Sequence, residues 1–412
     1  MALKVLTFLL FALIAKCLAN NHGPTIRHNA GFNARHIAQH LHAAMEKKNE
    51  ATIKKYFAQA ICSIDNQQRQ QLASEFKKEF GTDLVVALEK AFKSHFEEMI
   101  IALMQTPAVY DANQMHEAMS GMRTNDPLLI EILSTRSNRQ IAELKHEYER
   151  LYKKRPLEQD IKAHTKGPFQ NLLVSLLNGS RDEQRETDLA LAHEEAVKLY
   201  REGEAKRGVN AAAFNQVLAN RNFAQLRITF DHYKHLSHHD IEQAIEHEFS
   251  GDNEAGFLAL AQCVRNSSVY FANLLHKSMK GLGTRDSDLI RLVVSRSEID
   301  LAEIKYAYHV LHQKPLEDAI QGDTSGAYRD GLLALISSMD APSFCFSPFF
   351  TFLFCFSSPF YSFLIGFSSP SSFLFCFSSL VFPICFSFCS FPLCFPSPFP
   401  APIVASASFA SK

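Results

Sequence analysis

Apolar side chains recur every three or four positions through most of this chain. Leu289, Leu292 and Val293 form one such set, and Leu301, Ile304, Tyr308 and Leu311 form the next. Alternation at period two is scarce. Gly and Pro fall between the helical stretches rather than inside them, as at Gly281 and Pro315. A helical period with breakers at its boundaries predicts α-helices, so the body of the chain is expected to be all-α.

The helical stretches repeat. Met119-Ser120-Gly121 returns as Met279-Lys280-Gly281, and Arg136, Lys145, Tyr148 and Leu151 return at the same offset as Arg296, Lys305, Tyr308 and Leu311. Pro156-Leu157-Glu158 then matches Pro315-Leu316-Glu317 at an offset shorter by one, which Thr165, Gly167 and Leu173 keep. A third copy aligns Gly208 with Gly283 and, at an identical separation, Ser250-Gly251 with Ser325-Gly326. A fourth, earliest copy keeps Met45 and the apolar run through Phe76, Phe80, Leu84, Leu88 and Phe96. Four units of about 75–80 residues, each with about five helical stretches, are too small to bury their apolar faces alone and are expected to pack on one another.

Composition separates three regions. Residues 1–19 run from Met1 and Lys4 through an apolar stretch, Val5 to Ala15, to Cys17-Leu18-Ala19. That order of basic residue, short apolar run and small residue is the pattern of a secretory signal peptide. Ser343 to Lys412 hold 20 of the 35 Phe and 6 of the 9 Cys, with Lys412 as their single charge. Ser and Pro interrupt this tail throughout, so it never reaches twenty clean apolar residues, the length of a membrane-spanning helix. Its Phe, Ser, Pro, Leu and Cys all have pyrimidine-rich codons, and 342–412 reads as a low-complexity gene-model artefact rather than selected protein. Between these ends, 39 basic side chains face 43 acidic ones, a formal charge of −4. That balance disfavours nucleic acid, which needs a basic face, and a polybasic membrane patch. Only Cys62 and Cys263 remain in the body, which excludes a disulfide-stapled small fold; spacing does not say whether those two are bridged.

Met279-Lys280-Gly281-Leu282-Gly283-Thr284, Ser295-Arg296-Ser297 and Gly322-Asp323-Thr324-Ser325-Gly326 together resemble an annexin repeat. The resemblance covers about Phe32 to Asp340. It is strong in the second and fourth repeats, fair in the third and degenerate in the first. It implies four annexin-type five-helix repeats packed into a curved disc, with repeats at 32–107, 108–183, 184–266 and 267–341 after an N-terminal segment at 20–31. It also implies a calcium-dependent membrane binder, in which Ca2+ bridges protein oxygens to anionic phospholipid of the phosphatidylserine type.

Calcium takes six to eight oxygens from carbonyls, carboxylates and water. A Gly-rich turn between helices can aim several carbonyls at one ion, because glycine tolerates the dihedrals. In the fourth repeat the resemblance makes Met279, Gly281 and Gly283 the carbonyl donors. Asp323, in a second inter-helix loop, is the carboxylate donor. In the third repeat, Gly203, Lys206 and Gly208 take the carbonyl positions. Glu248 takes the acidic one, spaced from Gly208 as Asp323 is from Gly283. Gly208-Val209 replaces the usual Gly-Thr, and Arg207 stands where some annexins present a Trp; this chain has no Trp. The second repeat has Arg123 in place of the second glycine and His164 in the acidic position. The first has the short loop Glu46-Lys47-Lys48-Asn49 and Ala91. Neither is expected to hold calcium in the family manner, since imidazole is a poor calcium ligand.

Other chemistry is thin. His232, His235, His238 and His239 have metal-like spacing but no accompanying Cys or Glu constellation. No GxSxG, HExxH or P-loop occurs, so an enzyme is not expected. Asn178-Gly179-Ser180 and Asn266-Ser267-Ser268 are glycosylation sequons if the chain is secreted. The expected location is extracellular, peripheral on membranes, or cytoplasmic if the leader is not used. The competing expectation is a secreted annexin scaffold that binds an extracellular or host protein partner, with little lipid binding. It rests on the two lost loops and the missing Trp.

Overall fold

The computed structural model describes residues 23–46, 50–281, 283–337, 363–369 and 372–377. The leader at 1–19 and most of the tail lie outside them. Among the described residues there are twenty helices in four sets of five. The first set is α1 (Ala34–Glu46), α2 (Glu50–Ile61), α3 (Asn66–Phe80), α4 (Leu84–Ala91) and α5 (His95–Met104). The second is α6 (Pro107–Ser120), α7 (Asp126–Thr135), α8 (Asn138–Leu151), α9 (Leu157–His164) and α10 (Gly167–Leu177). The third is α11 (Leu189–Glu202), α12 (Ala211–Asn220), α13 (Phe223–Ser237), α14 (Ile241–Glu248) and α15 (Gly251–Arg265). The fourth is α16 (Ser267–Met279), α17 (Asp286–Arg296), α18 (Leu301–His312), α19 (Leu316–Asp323) and α20 (Gly326–Ile336).

Local sequence starts these helices. The third helix of the first three sets begins on a polar cap followed three residues later by Gln: Asp65 with Gln68, Ser137 with Gln140, Asn222 with Gln225. In each the cap oxygen accepts from the Gln backbone N–H, satisfying a donor the helix cannot. The fourth set has no such cap at Asp300. There Arg296 grips the Asp300 carboxylate at 2.6 Å instead.

The sets share cores in pairs. One apolar cluster joins the first and fourth sets, through Phe57, Met99, Ile100, Leu332 and Leu335 among others. The second joins the second and third sets, through Leu129, Phe169, Leu172, Phe257 and Leu260. Two glycines set how closely the partners approach. A Cβ on Gly331 of α20 would lie 2.2 Å from Met99 Cε of α5, and one on Gly256 of α15 would lie 2.7 Å from the Phe169 ring of α10. Gly256 and Gly331 hold equivalent positions in the fifth helices of their sets, so one device is used twice.

A buried ion pair crosses between the halves. Arg291 of α17 reaches both carboxylate oxygens of Glu131 on α7, at 3.1 and 2.9 Å. Burial opposes the Arg291 charge, and Glu131 more than offsets it, so the guanidinium titrates above its usual range. The two residues hold equivalent positions in the second helices of their repeats. A cavity of about 930 Å³ lies where the first, second and fourth sets meet, lined by the Arg69–Glu298 and Arg136–Asp111 pairs. The N-terminal segment straps the first and fourth sets together. Thr25 and Ile26 N–H both donate to Ser297 O at 2.9 Å, and Asn29 N–H donates to Gln68.

Cys62 and Cys263 are free and buried, not bridged. Burial pushes the Cys62 thiol up to about 12. Residues 341–412 form a separate unit. Its described part is an antiparallel hairpin, β1 (Phe363–Ser369) with β2 (Ser372–Phe377), pairing Leu364 with Cys376. Runs of Phe, Leu and Ile have the strand preference that such pairing uses. Among the described residues no helix is long and apolar enough to cross a membrane.

Gly256→Ala tests the pairing of sets. The Phe169 ring is stiff and already packed, so the methyl group is expected to cost about 1–3 kcal/mol in urea unfolding. Gly331→Ala meets the flexible end of Met99 and should cost less. Equal and negligible losses would refute the close-approach account.

Candidate functional site

The fourth-set loop lies between α16 and α17. Gly281 and Gly283 both adopt positive φ, 113° and 88°, a region closed to most side chains. Arg285 N–H donates across the turn to Ser278 O at 2.8 Å, and Arg285 Nη2 donates to Lys277 O at 2.7 Å. Thr284 Oγ1 donates to the Asp323 carbonyl oxygen at 3.2 Å. That bond ties the first loop to the end of α19, the helix that carries Asp323. Asp323 is exposed. Among the described residues its carboxylate makes no ion pair. Burial, and then the Asp323 charge, raise the Tyr308 phenol above its ordinary value.

A set of turn carbonyls with one uncommitted carboxylate is hard-oxygen chemistry, and it fits a calcium ion. Among the described residues no three His, Cys, Asp or Glu side chains converge as a metal cluster.

The third-set loop is built differently. Gly208 adopts φ 87°, matching Gly283, but Gly203 has φ −115°. A Cβ at Gly203 would lie 3.1 Å from the Leu199 carbonyl oxygen and 3.2 Å from the Phe214 ring, so there is little room for a side chain. Its carbonyl already accepts from Lys206 N–H at 3.1 Å. Lys206 Nζ pairs with Glu202 at 2.9 Å, and Asn210 N–H closes the turn on Glu202 O at 2.8 Å. Glu248 pairs with His247 at 2.9 Å and is mostly buried. Val209 has no hydroxyl, so the bond that Thr284 makes has no counterpart.

Glu204 was missed in the sequence reading. It accepts from the Tyr233 hydroxyl at 2.7 Å and contacts His239 Nδ1 at 2.9 Å. Tyr233 is raised far above its ordinary value by burial first, then by Glu204 and Glu248. The signal was the acid directly after Gly203, visible only once Tyr233 is placed against it.

The second-set loop keeps the scaffold without the ligands. Thr124 Oγ1 donates to His164 O at 3.2 Å, and Asn125 N–H donates to Ala118 O at 2.8 Å, as in the fourth set. Yet Gly121 has φ −78°, and His164 turns its Nδ1 to Asp160 O at 2.9 Å. Met122 projects fully into solvent. In the first set, Lys47–Asn49 lie outside the described residues. Its second loop places Ser94 at φ 90°, where the other three sets have Gly167, Gly251 and Gly326 at 60–65°.

The four sets match known proteins throughout. The family model described as Annexin matches residues 36–103, 110–176, 195–260 and 270–335. Annexin A13 of Mus musculus is 40% identical over 319 residues, covering 77% of this chain and 100% of that protein. Annexin A7 of Homo sapiens is 41% identical over 312 residues, covering 76% of this chain and 63% of that protein. Among solved structures, annexin III aligns with a TM-score of 0.73 at 36% identity, over 76% of this chain and 97% of that one. Calcium-bound annexin (Sm)1 aligns at 0.69 and 30% identity, over 76% and 93%.

The free Asp323 carboxylate and the occupied Glu248 carboxylate predict unequal sites. Calcium titration of the lipid-free protein should show a tighter site lost in Asp323→Ala and a weaker one lost in Glu248→Ala. Tighter binding lost in Glu248→Ala instead would reverse the assignment.

Proposed function

The chain belongs to the annexin family, whose members bind phospholipid in a calcium-dependent way, and from that premise we propose that its fourth repeat carries the principal calcium bridge to membrane. In this reading Met279, Gly281 and Gly283 supply carbonyl oxygens and Asp323 supplies the carboxylate. Lipid phosphate oxygens complete the shell. What supports it is the positive φ of Gly281 and Gly283 together with the exposed Asp323, features that the second repeat lacks although it keeps the equivalent threonine–carbonyl bond. The third repeat, through Gly203, Lys206, Gly208 and Glu248, is the weaker second bridge. A body of net charge −4 is repelled by an anionic surface. Ions held at the loops reverse that sign locally, which makes binding depend on calcium.

Co-sedimentation with phosphatidylserine vesicles, in calcium and in chelator, tests this on the full chain. Binding is expected in calcium only. Asp323→Ala should raise the calcium needed for half-maximal binding by about tenfold or more, the scale of losing one charged ligand. Equal binding with and without calcium, or an unaffected Asp323→Ala, would sink the assignment.

A second reading is favoured by the second repeat, where the loop scaffold survives but Arg123 and His164 replace its ligands. It takes the protein as an annexin scaffold turned to a protein partner. Capture of one extracellular partner by a parent that binds no vesicles would decide for it.

We further propose that Met1–Ala19 directs secretion, on the pattern of its residues. N-terminal sequencing of protein expressed in a secretory host should find Asn20 first in the medium. An intact Met1 on cell-retained protein would exclude it.

A further inference from the structure

The first helix carries an arrangement that calcium binding does not use. His36 and His40 stand one turn apart on α1, and both are exposed. Their Nε2 atoms are 3.1 Å apart, while the ring centroids are 4.3 Å apart. The nitrogens are closer than the ring centroids, so the two rings turn their Nε2 edges toward each other. A zinc-sized ion sits about 2.0–2.1 Å from each imidazole nitrogen. Two nitrogens at the observed separation subtend about 95–102° at such an ion, between the octahedral and tetrahedral angles.

Two other histidine pairs lack this geometry. His276 and His312 stack face to face, 3.9 Å apart with planes 8° from parallel. Stacked rings direct their nitrogens side by side, not at a common point. His193 and His232 meet edge to face at 5.7 Å. The His40 ring is also braced, stacking on Tyr56 of α2 at 5.8 Å and 26°. Ring orientation fixed by a neighbour is what holds a metal-binding imidazole ready.

We propose that His36 and His40 form a bidentate site for a borderline first-row dication, Zn2+ or Cu2+, on the exposed side of the first repeat. Two neutral nitrogens suit these ions and not the hard, oxygen-seeking calcium, so the site is chemically separate from the inter-helix loops. Cu2+ binds such a donor set more tightly than Zn2+. In the metal-free protein the two rings share one hydrogen bond. Binding moves that proton from Nε2 to Nδ1 of the same imidazole, so each neutral ring keeps one N–H and presents its Nε2 lone pair to the ion. With two protein ligands, the remaining positions are open to water or to a donor from outside the chain. Tyr56 acts as a positioning residue.

The test uses the full chain, freed of metal and calcium, titrated with Zn2+ by calorimetry and with Cu2+ by electron paramagnetic resonance. The parent, His36→Asn, His40→Asn, Tyr56→Leu and His276→Asn are compared, each with its thermal unfolding curve. One equivalent is expected to bind with a two-nitrogen copper signature. His36→Asn and His40→Asn should each weaken it by about 100-fold, the gain from joining two weak ligands on one rigid element, and leave a one-nitrogen signature. Tyr56→Leu should weaken it by a smaller factor, and His276→Asn should match the parent. Binding equal in the parent and both single variants would overturn the proposal. So would a loss in His276→Asn as large as in His40→Asn.

Discussion

A five-helix unit of this chain has more apolar face than it can cover by itself, and the structure depends on how that face is covered. The solution is pairing. The first and fourth repeats bury one cluster between them, and the second and third bury another. Close pairing needs a small residue opposite a large one, and Gly331 against Met99 and Gly256 against Phe169 provide it. The two halves then meet through the Arg291–Glu131 pair, buried at equivalent positions of the second helices. Losing one partner of such a pair leaves an uncompensated buried charge, at a cost of about 3–5 kcal/mol.

This rigid packing separates the loops' shape from their chemistry. The second and fourth repeats make the same two loop bonds, a threonine hydroxyl to a carbonyl and a turn closed just before the next helix. One presents Asp323 and glycines at positive φ, and the other presents His164 and Arg123. Ligands can be exchanged at the loop without disturbing the helices, because the helices are held from the core side. The same independence explains Ser94, which occupies a left-handed position that three glycines fill elsewhere. Such a conformation costs about 1–3 kcal/mol and persists when the surroundings over-determine it.

Much of this was legible in the residues. The helical period of Leu289, Leu292 and Val293 and the constant offsets between matching motifs gave helix type, repeat number and the loops to compare. Gly283 and Gly208 were readable as turn residues, and both take φ near 87–88°. Gly203 was read the same way, yet its φ is negative and its smallness serves Phe214. A glycine's letter does not distinguish freedom of backbone from lack of room. Glu248 aligned with Asp323, but Glu248 contacts His247 while the Asp323 carboxylate has no ion pair among the described residues, a difference set by the neighbouring His247.

The sequence by itself determined what is local or periodic: which stretches are helical, where they are capped, which loops carry glycine and acid, and that the composition has three parts. These follow from short-range backbone preferences and from period. Only the tertiary structure decided which repeats share a core, that Cys62 and Cys263 stay apart, that Glu204 meets the Tyr233 phenol, and that His36 and His40 bring their Nε2 atoms together while His276 and His312 stack face to face. Those outcomes depend on distances between residues far apart in the chain, or on side-chain rotamers chosen by their neighbours, and neither is written in spacing.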